Sequence, residues 1–269
     1  MGKFKVRPLV RYHGGKGHLY KWILNNFSSH EVYVEPFGGG ASVLLNKEPS
    51  TKEIYNDLEQ SIFNLFSIVQ KRVSDLVEIL KPIPHKKEIY LENLETYRSS
   101  EFFSLSSLEK AKVTYIVLRQ SRAGTATTYS WSKRICKGIP EEEYGWESSK
   151  ENIINIHNRI KNVELYNKSA IDIIKQYDST ETFFYLDPPY LDSTRVSKKV
   201  YKKEMTIEDH ILLLDLINQV KGKIMLSGYS SQLYDQKLSS WNKRTKSSVL
   251  HSSHSKKKTQ KTECLWLNY

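Results

Sequence analysis

Residues 31–40 read Glu31-Val-Tyr-Val-Glu35-Pro-Phe-Gly-Gly-Gly40, and this stretch decides the fold class. Its β-branched and aromatic residues predict a short strand that ends at Glu35, before a tight glycine-rich turn. A short helix is predicted over residues 41–47, and a second strand over residues 53–57. A strand, a glycine-rich turn, a helix and a strand that ends in an acid form the first part of a nucleotide-binding α/β unit.

The middle of the chain predicts helices, and its end predicts strands. Apolar spacing predicts helices over residues 62–69 and 73–80. The motifs Ser106-x-x-Glu109 and Ser148-x-x-Glu151 predict the starts of two more, with a loop over residues 119–134 between them. The later predicted elements are a strand over residues 182–186, a helix from Thr206 to about residue 220, a strand over residues 223–227 and an antiparallel hairpin over residues 247–250 and 263–267.

These elements predict an α/β fold with a Rossmann-like sheet and a C-terminal antiparallel hairpin. Residues 1–69 and 161–269 are expected to form this domain. Residues 70–160 are helical and rich in loops, so they are expected to form an inserted domain.

The composition favours a polyanionic partner. The 269 residues include 41 Lys and Arg against 30 Asp and Glu, a net charge of +11. Such a surplus suits nucleic acid, although a soluble protein can also simply be basic. The 17 tyrosines could stack on bases or fill the core. No run approaches the roughly 18 apolar residues of a membrane helix, so neither a membrane span nor a secretory signal is expected.

The two cysteines, Cys136 and Cys264, lie far apart and form no redox or metal-binding motif. They favour a reducing cytoplasm, in a bacterial nucleoid or a phage-infected cell. No metal site is predicted, because His251 and His254 lack carboxylate or thiolate neighbours.

The glycine-rich turn is a candidate ligand site. Its glycines let a ligand approach the main chain, or they simply let the chain turn. Asp57 comes 17 residues after Gly40, close to the roughly 20 expected for an acid that accepts hydrogen bonds from ribose hydroxyls. Val43 stands where a dinucleotide fingerprint has its third glycine, which argues against NAD and FAD. A nucleoside ligand without a pyrophosphate stays open, and S-adenosylmethionine is the obvious one.

A second glycine-containing segment reads Tyr12-His-Gly-Gly-Lys16. Tyr12 could stack on a ligand and Lys16 could pair with a carboxylate, or the segment could be a surface turn.

The segment Asp187-Pro-Pro-Tyr190, after an apolar strand, is the most specific pattern. Its prolines fix the backbone and remove two N–H donors, so the Asp187 carboxylate and the Pro188 carbonyl form an edge of acceptors. Such an edge suits an exocyclic amino group and makes its nitrogen more nucleophilic. The Tyr190 ring can stack on the same base, and the alternative is a stiff turn with a buried tyrosine.

Basic segments accompany this edge. Residues 195–203 hold five cations and no acid. Cations beside a base-binding edge predict contacts with phosphates, although such runs are often only solvated. The predicted DNA-contacting cations are Arg119, Arg122, Lys133, Arg134, Arg195, Lys198 and Lys199.

Together these motifs resemble, in their order and over the length of the chain, the Dam-type DNA adenine-N6 methyltransferases. Residues 12–16 are similar to the opening cofactor motif of that family, and residues 35–40 to its S-adenosylmethionine loop. Asn56-Asp57 is similar to the ribose-binding acid, and residues 187–190 to the catalytic motif. Residues 227–229 and 262–267 resemble the later strands of the family.

The resemblance implies transfer of a methyl group from S-adenosylmethionine to the exocyclic amine of an adenine flipped out of double-stranded DNA, without a metal. It implies that residues 70–160 are a target-recognition domain. The implied cofactor contacts are Tyr12, Lys16, Glu35, Phe37, Gly38, Gly40, Asp57 and Asp187, and the implied catalytic residues are Asp187, Pro188, Pro189 and Tyr190.

One position departs from the family pattern. Ser169 stands where related sequences carry an acid that helps hold the adenine of the cofactor. Asp172 could substitute, or cofactor affinity could be reduced. The alternatives are methylation of another exocyclic amine, in cytosine or in RNA, and a catalytically inactive DNA-binding relative. The recognised DNA site, the oligomeric state and a cognate restriction endonuclease stay open.

Overall fold

The structure is a computed structural model, and it describes residues 6–191, 204–249 and 260–269. The helices are α1 (Tyr20–Leu24), α2 (Gln60–Lys71), α3 (Val73–Leu80), α4 (Lys87–Arg98), α5 (Glu101–Ser104), α6 (Ser107–Gln120), α7 (Glu141–Ile160), α8 (Ala170–Tyr177), α9 (Ile207–Ile217) and α10 (Gln232–Lys237). The strands are β1 (Val32–Glu35), β2 (Lys52–Asn56), β3 (Ile135–Cys136), β4 (Ile139–Pro140), β5 (Glu164–Tyr166), β6 (Thr182–Leu186), β7 (Lys223–Tyr229), β8 (Asn242–Val249) and β9 (Gln260–Leu267). No helix within these ranges is both long and apolar enough to cross a membrane.

Seven strands form one sheet in the order β5-β2-β1-β6-β7-β9-β8, and β3 pairs with β4 in a separate hairpin. Strand β1 is parallel to β2 and to β6, and β6 is parallel to β7. Strand β9 is antiparallel to both β7 and β8. This sheet confirms the predicted fold class, a mostly parallel α/β sheet with an antiparallel C-terminal hairpin.

The described chain divides into two compact units. The first contains residues 6–24, Gly39–Glu48 and Asp57–Asn167. The second contains Asn25–Gly38, Pro49–Asn56 and the described part of Lys168–Tyr269. The chain therefore passes from one unit to the other inside the glycine-rich turn and again just before Asp57. The predicted limits of the inserted domain, residues 70 and 160, stay a prediction.

Helix α6 is the central helix of the first unit. The Ser106 hydroxyl and the Glu109 side chain form the predicted capping box at its start. The helix packs against α2, α3, α4 and α7, because eight of its 14 residues are buried and six of these eight are apolar. One apolar cluster of this unit comprises Tyr90, Leu94, Tyr97, Phe102, Val113 and Val117.

Two helix predictions were wrong. Helix α7 begins at Glu141 rather than near Ser148, because three consecutive glutamates favour the N-terminal end of a helix. The predicted helix over residues 41–47 is reduced to a single 3₁₀ turn, Leu44–Asn46. Ala41 has a φ of 53°, and this left-handed conformation interrupts a right-handed helix.

The second unit is built on fully buried parallel strands. All five residues of β6 are buried, as expected for a strand in the middle of a parallel sheet. Helix α9 begins at the predicted capping residue, Thr206, and ends at Ile217. Strand β8 begins at Asn242, earlier than predicted, because its first residues are polar and exposed at the sheet edge and so lack the apolar signal of a strand.

Gly124 fixes a close approach between two backbone segments of the first unit. Its φ is +68°, and a Cβ atom there would lie 2.0 Å from the carbonyl oxygen of Arg11. An alanine would therefore be strained in its own backbone and would also collide with backbone atoms.

We expect Gly124→Ala to lower the free energy of unfolding by about 3 kcal/mol, measured by urea denaturation. Gly138→Ala is the matched control, because Gly138 has a φ of +85° but no atom within 4 Å of its Cβ position. The control should lose only about 1 kcal/mol of unfolding free energy, which is the cost of holding an alanine in a left-handed backbone conformation. Equal losses in both variants would contradict the close approach to Arg11.

Candidate active site

Four parallel strands of the second unit end side by side at one edge of the sheet. In the order β2, β1, β6 and β7, the residues at or just beyond this edge include Asn56, Glu35, Asp187 and Ser227. Ligands of open α/β sheets bind outside the carboxyl ends of the strands. The predicted base-binding segment and the glycine-rich turn therefore both begin where a ligand is expected.

Asn56 holds the first part of the glycine-rich turn. Its amide nitrogen donates to the carbonyls of Pro36 (2.8 Å) and Lys168 (3.0 Å), and its amide oxygen accepts from the Lys168 N–H (2.9 Å). Its backbone carbonyl accepts from the Gly38 N–H at 2.8 Å. A Cβ atom at Gly38 would lie 2.1 Å from the buried ring of Tyr55, so only glycine fits there.

The second part of the turn contacts Asp57, within the first unit. The Gly39 N–H donates to Asp57 Oδ2 at 2.6 Å, and the Glu59 N–H donates to Oδ1 at 2.7 Å. Burial raises the pKa of Asp57 to about 6, although both of these N–H groups lower it. A carboxylate has about four lone-pair sites, so each oxygen can accept a further hydrogen bond from a ligand.

Tyr12 and Lys16 belong to the same unit as Asp57. The ring of Tyr12 lies against Gly39, where a Cβ atom would come within 2.7 Å of it, and the Tyr12 side chain also lies close to Gly40. The Lys16 ammonium is buried and donates to the Gly14 carbonyl at 3.1 Å. Gly39 therefore contacts both the Tyr12 ring and the Asp57 carboxylate.

Two hydroxyl hydrogen bonds hold the segment after β6. The Ser227 hydroxyl donates to Asp187 Oδ1 at 2.7 Å, and the Tyr190 hydroxyl donates to Glu263 Oε2 at 2.9 Å. Pro188 is buried, whereas Asp187 and Tyr190 are half-buried. Burial, and secondly the charge of Asp187, raise the pKa of Tyr190 well above its usual value, so its hydroxyl keeps its proton.

Glu35 and Phe37 flank the start of the turn. The Glu35 carboxylate is buried and accepts from the Tyr33 hydroxyl at 2.7 Å. Burial and the Glu35 charge raise the pKa of Tyr33, so this hydroxyl also stays a donor. Phe37 is half-buried. The predicted contacts of both residues with a cofactor stay predictions.

The predicted DNA-contacting cations differ in their surroundings. Arg122, Lys133 and Arg134 are exposed. Arg119 is half-buried in α6, and its guanidinium donates to the Gly145 carbonyl at 3.3 Å. Arg195, Lys198, Lys199, His251 and His254 lie outside the described residues. Within the ranges that the structure describes, no three His, Cys, Asp or Glu side chains are grouped as a metal ion would require.

Ser169, the position that departs from the family pattern, lies at the start of helix α8. The Ser169 hydroxyl accepts from the Ile171 N–H at 3.3 Å and caps α8, and Asp172 is exposed in its first turn.

Sequence reasoning did not assign partner roles to Ser227 and Glu263. A signal was present, because Ser227 follows the apolar run of β7 and Glu263 precedes the apolar run of β9. A buried polar side chain in such a strand requires a hydrogen-bond partner, and here the partners are Asp187 and Tyr190.

A mostly parallel sheet with an antiparallel final hairpin and a glycine-rich turn after β1 is the fold of S-adenosylmethionine-dependent methyltransferases. The chain belongs to the D12 class N6 adenine-specific DNA methyltransferases, whose family model matches residues 12–261.

Curated relatives agree with this family. The chain is 24% identical to the Type II methyltransferase M.MjaIII of Methanocaldococcus jannaschii over 83% of its own length and 84% of that protein. It is 23% identical to the DNA adenine methylase of Escherichia coli (strain K12), over 91% and 87%. It is 22% identical to the Type II methyltransferase M.CviBI of Paramecium bursaria Chlorella virus NC1A, over 86% and 87%.

The pKa of Asp57 predicts a pH dependence of stability. Because the folded protein raises this pKa from 3.8 to about 6, it binds the proton more tightly than the unfolded chain does. The ionised carboxylate therefore lowers stability above pH 6, and this effect disappears as the pH falls towards 4.

We expect the stability of Asp57→Asn, relative to wild type, to be greater at pH 7 than at pH 4 by up to about 3 kcal/mol. Urea denaturation at both pH values measures this difference, and any constant loss of hydrogen bonding in the variant cancels. Asp172→Asn, which removes an exposed carboxylate, is the matched control. A relative stability that is equal at the two pH values would contradict the burial of Asp57.

Proposed function

We propose that the protein transfers a methyl group from S-adenosylmethionine directly to the N6 nitrogen of an adenine flipped out of duplex DNA, with Asp187 to Tyr190 holding the base. The observation that carries this proposal is the position of the segment. It directly follows the buried strand β6 at the ligand-binding edge of the sheet, and Ser227 orients the Asp187 carboxylate.

The base-binding edge can accept hydrogen bonds but offers few donors. Pro188 and Pro189 have no N–H group, so the Asp187 carboxylate and the Pro188 carbonyl are the polar groups that face a ligand amine. Hydrogen bonds from both amine protons to these acceptors orient the nitrogen lone pair for attack. S-adenosylmethionine supplies the methyl group on a sulfonium. The N6–carbon bond would form as the carbon–sulfur bond breaks, the sulfur would leave as a neutral thioether, and the methylated nitrogen would then release a proton to water.

The residues around Asp57 fit a nucleoside cofactor. Asp57 is an acceptor that suits two ribose hydroxyls, and the Gly39 N–H holds its carboxylate in place. We assign further cofactor contacts to Tyr12, by stacking, and to Lys16, by pairing with a carboxylate. The assignment extends to Glu35, Phe37, Gly38, Gly40 and Asp187, as the family resemblance implies.

The loop after α6 is our candidate for DNA contact. Lys133 and Arg134 are exposed there, and Trp131 beside them is 67% exposed. Exposed cations with an aromatic neighbour suit phosphates and bases. This assignment agrees with the net charge of +11 and with residues 70–160 as a target-recognition domain.

We expect Asp187→Ala to lose at least about 100-fold in methyl transfer, because the amine would no longer be oriented for attack. The measurement is tritium transfer from labelled S-adenosylmethionine to DNA, with nucleoside analysis of the product to distinguish methyladenine from methylcytosine. Thermal denaturation of the variant checks that the fold is intact. Incorporation at the wild-type rate would refute the role of Asp187. Methylcytosine as the product would refute adenine as the methylated base.

Neutralising the exposed cations should weaken DNA binding in a salt-dependent way. We expect Lys133→Ala and Arg134→Ala each to reduce the slope of log affinity against log salt by about one if each contacts a phosphate. Lys71→Ala is the matched control, an exposed cation in the last turn of α2. The same slope in all three variants and wild type would place the DNA elsewhere.

A further inference from the structure

Glu263 is a buried carboxylate that the mechanism above does not use. It is 6% exposed and accepts from the Tyr190 hydroxyl at 2.9 Å. It also hydrogen-bonds the side chain of Tyr229. The two tyrosine rings meet edge to face, with centroids 4.7 Å apart and an interplanar angle of 74°. The Glu263 carboxylate therefore binds the side chains of both tyrosines.

The sheet explains why Glu263 reaches this place. Strand β9 is antiparallel to β7, so its first residues lie at the edge where β6 and β7 end. In this register Glu263 pairs directly with Tyr229. Burying a carboxylate is unfavourable unless it is well hydrogen-bonded, and the two tyrosine hydroxyls satisfy this requirement.

We propose that Glu263 is a positioning residue of methyl transfer, which holds the Tyr190 ring in the orientation that stacks on the flipped adenine. This inference rests on the proposed function, because it assumes that Tyr190 contacts the base. The hydrogen bond fixes the far end of the ring, and the edge contact with Tyr229 restricts its rotation. Burial keeps both hydroxyls protonated, so both remain donors.

A double-mutant cycle with Glu263→Gln and Tyr190→Phe tests the proposal. Tyr190→Phe keeps the ring and removes only the hydroxyl, and Glu263→Gln keeps the shape and removes the charge. We expect each variant to lower kcat by about 10- to 100-fold, with little change in KM for the cofactor, because a misplaced base reacts slowly. The double variant should be no slower than the slower single variant.

Glu208→Gln is the matched control, because it removes an equal charge from an exposed position in the first turn of α9. It should leave kcat unchanged. Glu263→Asp keeps the charge on a shorter side chain and should recover part of the activity that Glu263→Gln loses.

A lower melting temperature with unchanged kcat in Glu263→Gln would show a purely structural role and overturn the inference. Independent, multiplying losses in the double variant would overturn it too, because Glu263 would then act by another route. If Glu263→Gln does not fold, Tyr190→Phe alone tests the inference, and a wild-type kcat in that variant would overturn it. The proposed function fails separately, through an active Asp187→Ala. An inactive Asp187→Ala beside a fully active Glu263→Gln overturns this inference alone.

Discussion

The glycine-rich turn depends on one buried amide. Asn56 has no exposed surface, and it bonds the backbone of Pro36, Gly38 and Lys168. These bonds join the ends of β1 and β2 to the segment before α8. Each polar group left unbonded in such a place would cost about 1–3 kcal/mol, so the turn has little freedom to relax. Gly39 and Asp57 are the next residues along the two segments, and the Gly39 N–H donates to Asp57.

Hydroxyl groups hold the carboxylates at the sheet edge of the second unit. Tyr33 donates to Glu35, Ser227 to Asp187, and Tyr190 to Glu263. A neutral hydroxyl orients a carboxylate without cancelling its charge. The negative charge of each carboxylate is therefore retained, which suits the proposed transfer of a methyl group from a sulfonium to an amine. A lysine or arginine in the same place would orient the acid but would neutralise this potential.

Local sequence patterns predicted the fold correctly where a pattern is compatible with only one kind of structure. The apolar run at residues 182–186 is a buried strand, as predicted. The same kind of capping motif was right at Ser106 and wrong at Ser148, because the second lies inside a helix that begins at Glu141. A capping motif is compatible with a helix interior, so a stronger start upstream overrides it.

The residues of the candidate site also fall into those that local sequence predicts and those that it does not predict. Asp57 ends one predicted strand and Asp187 directly follows another, and a strand end can be recognised from its own residues. The partners Ser227 and Glu263 depend on strand order and on the register of β9 against β7, which residues far apart in sequence decide. A shift of β9 by one residue would turn Glu263 to the opposite face of the sheet and place Cys264 opposite Tyr229. The contact that orients the Tyr190 ring is thus a property of the assembled sheet, and no local pattern around residue 190 contains it.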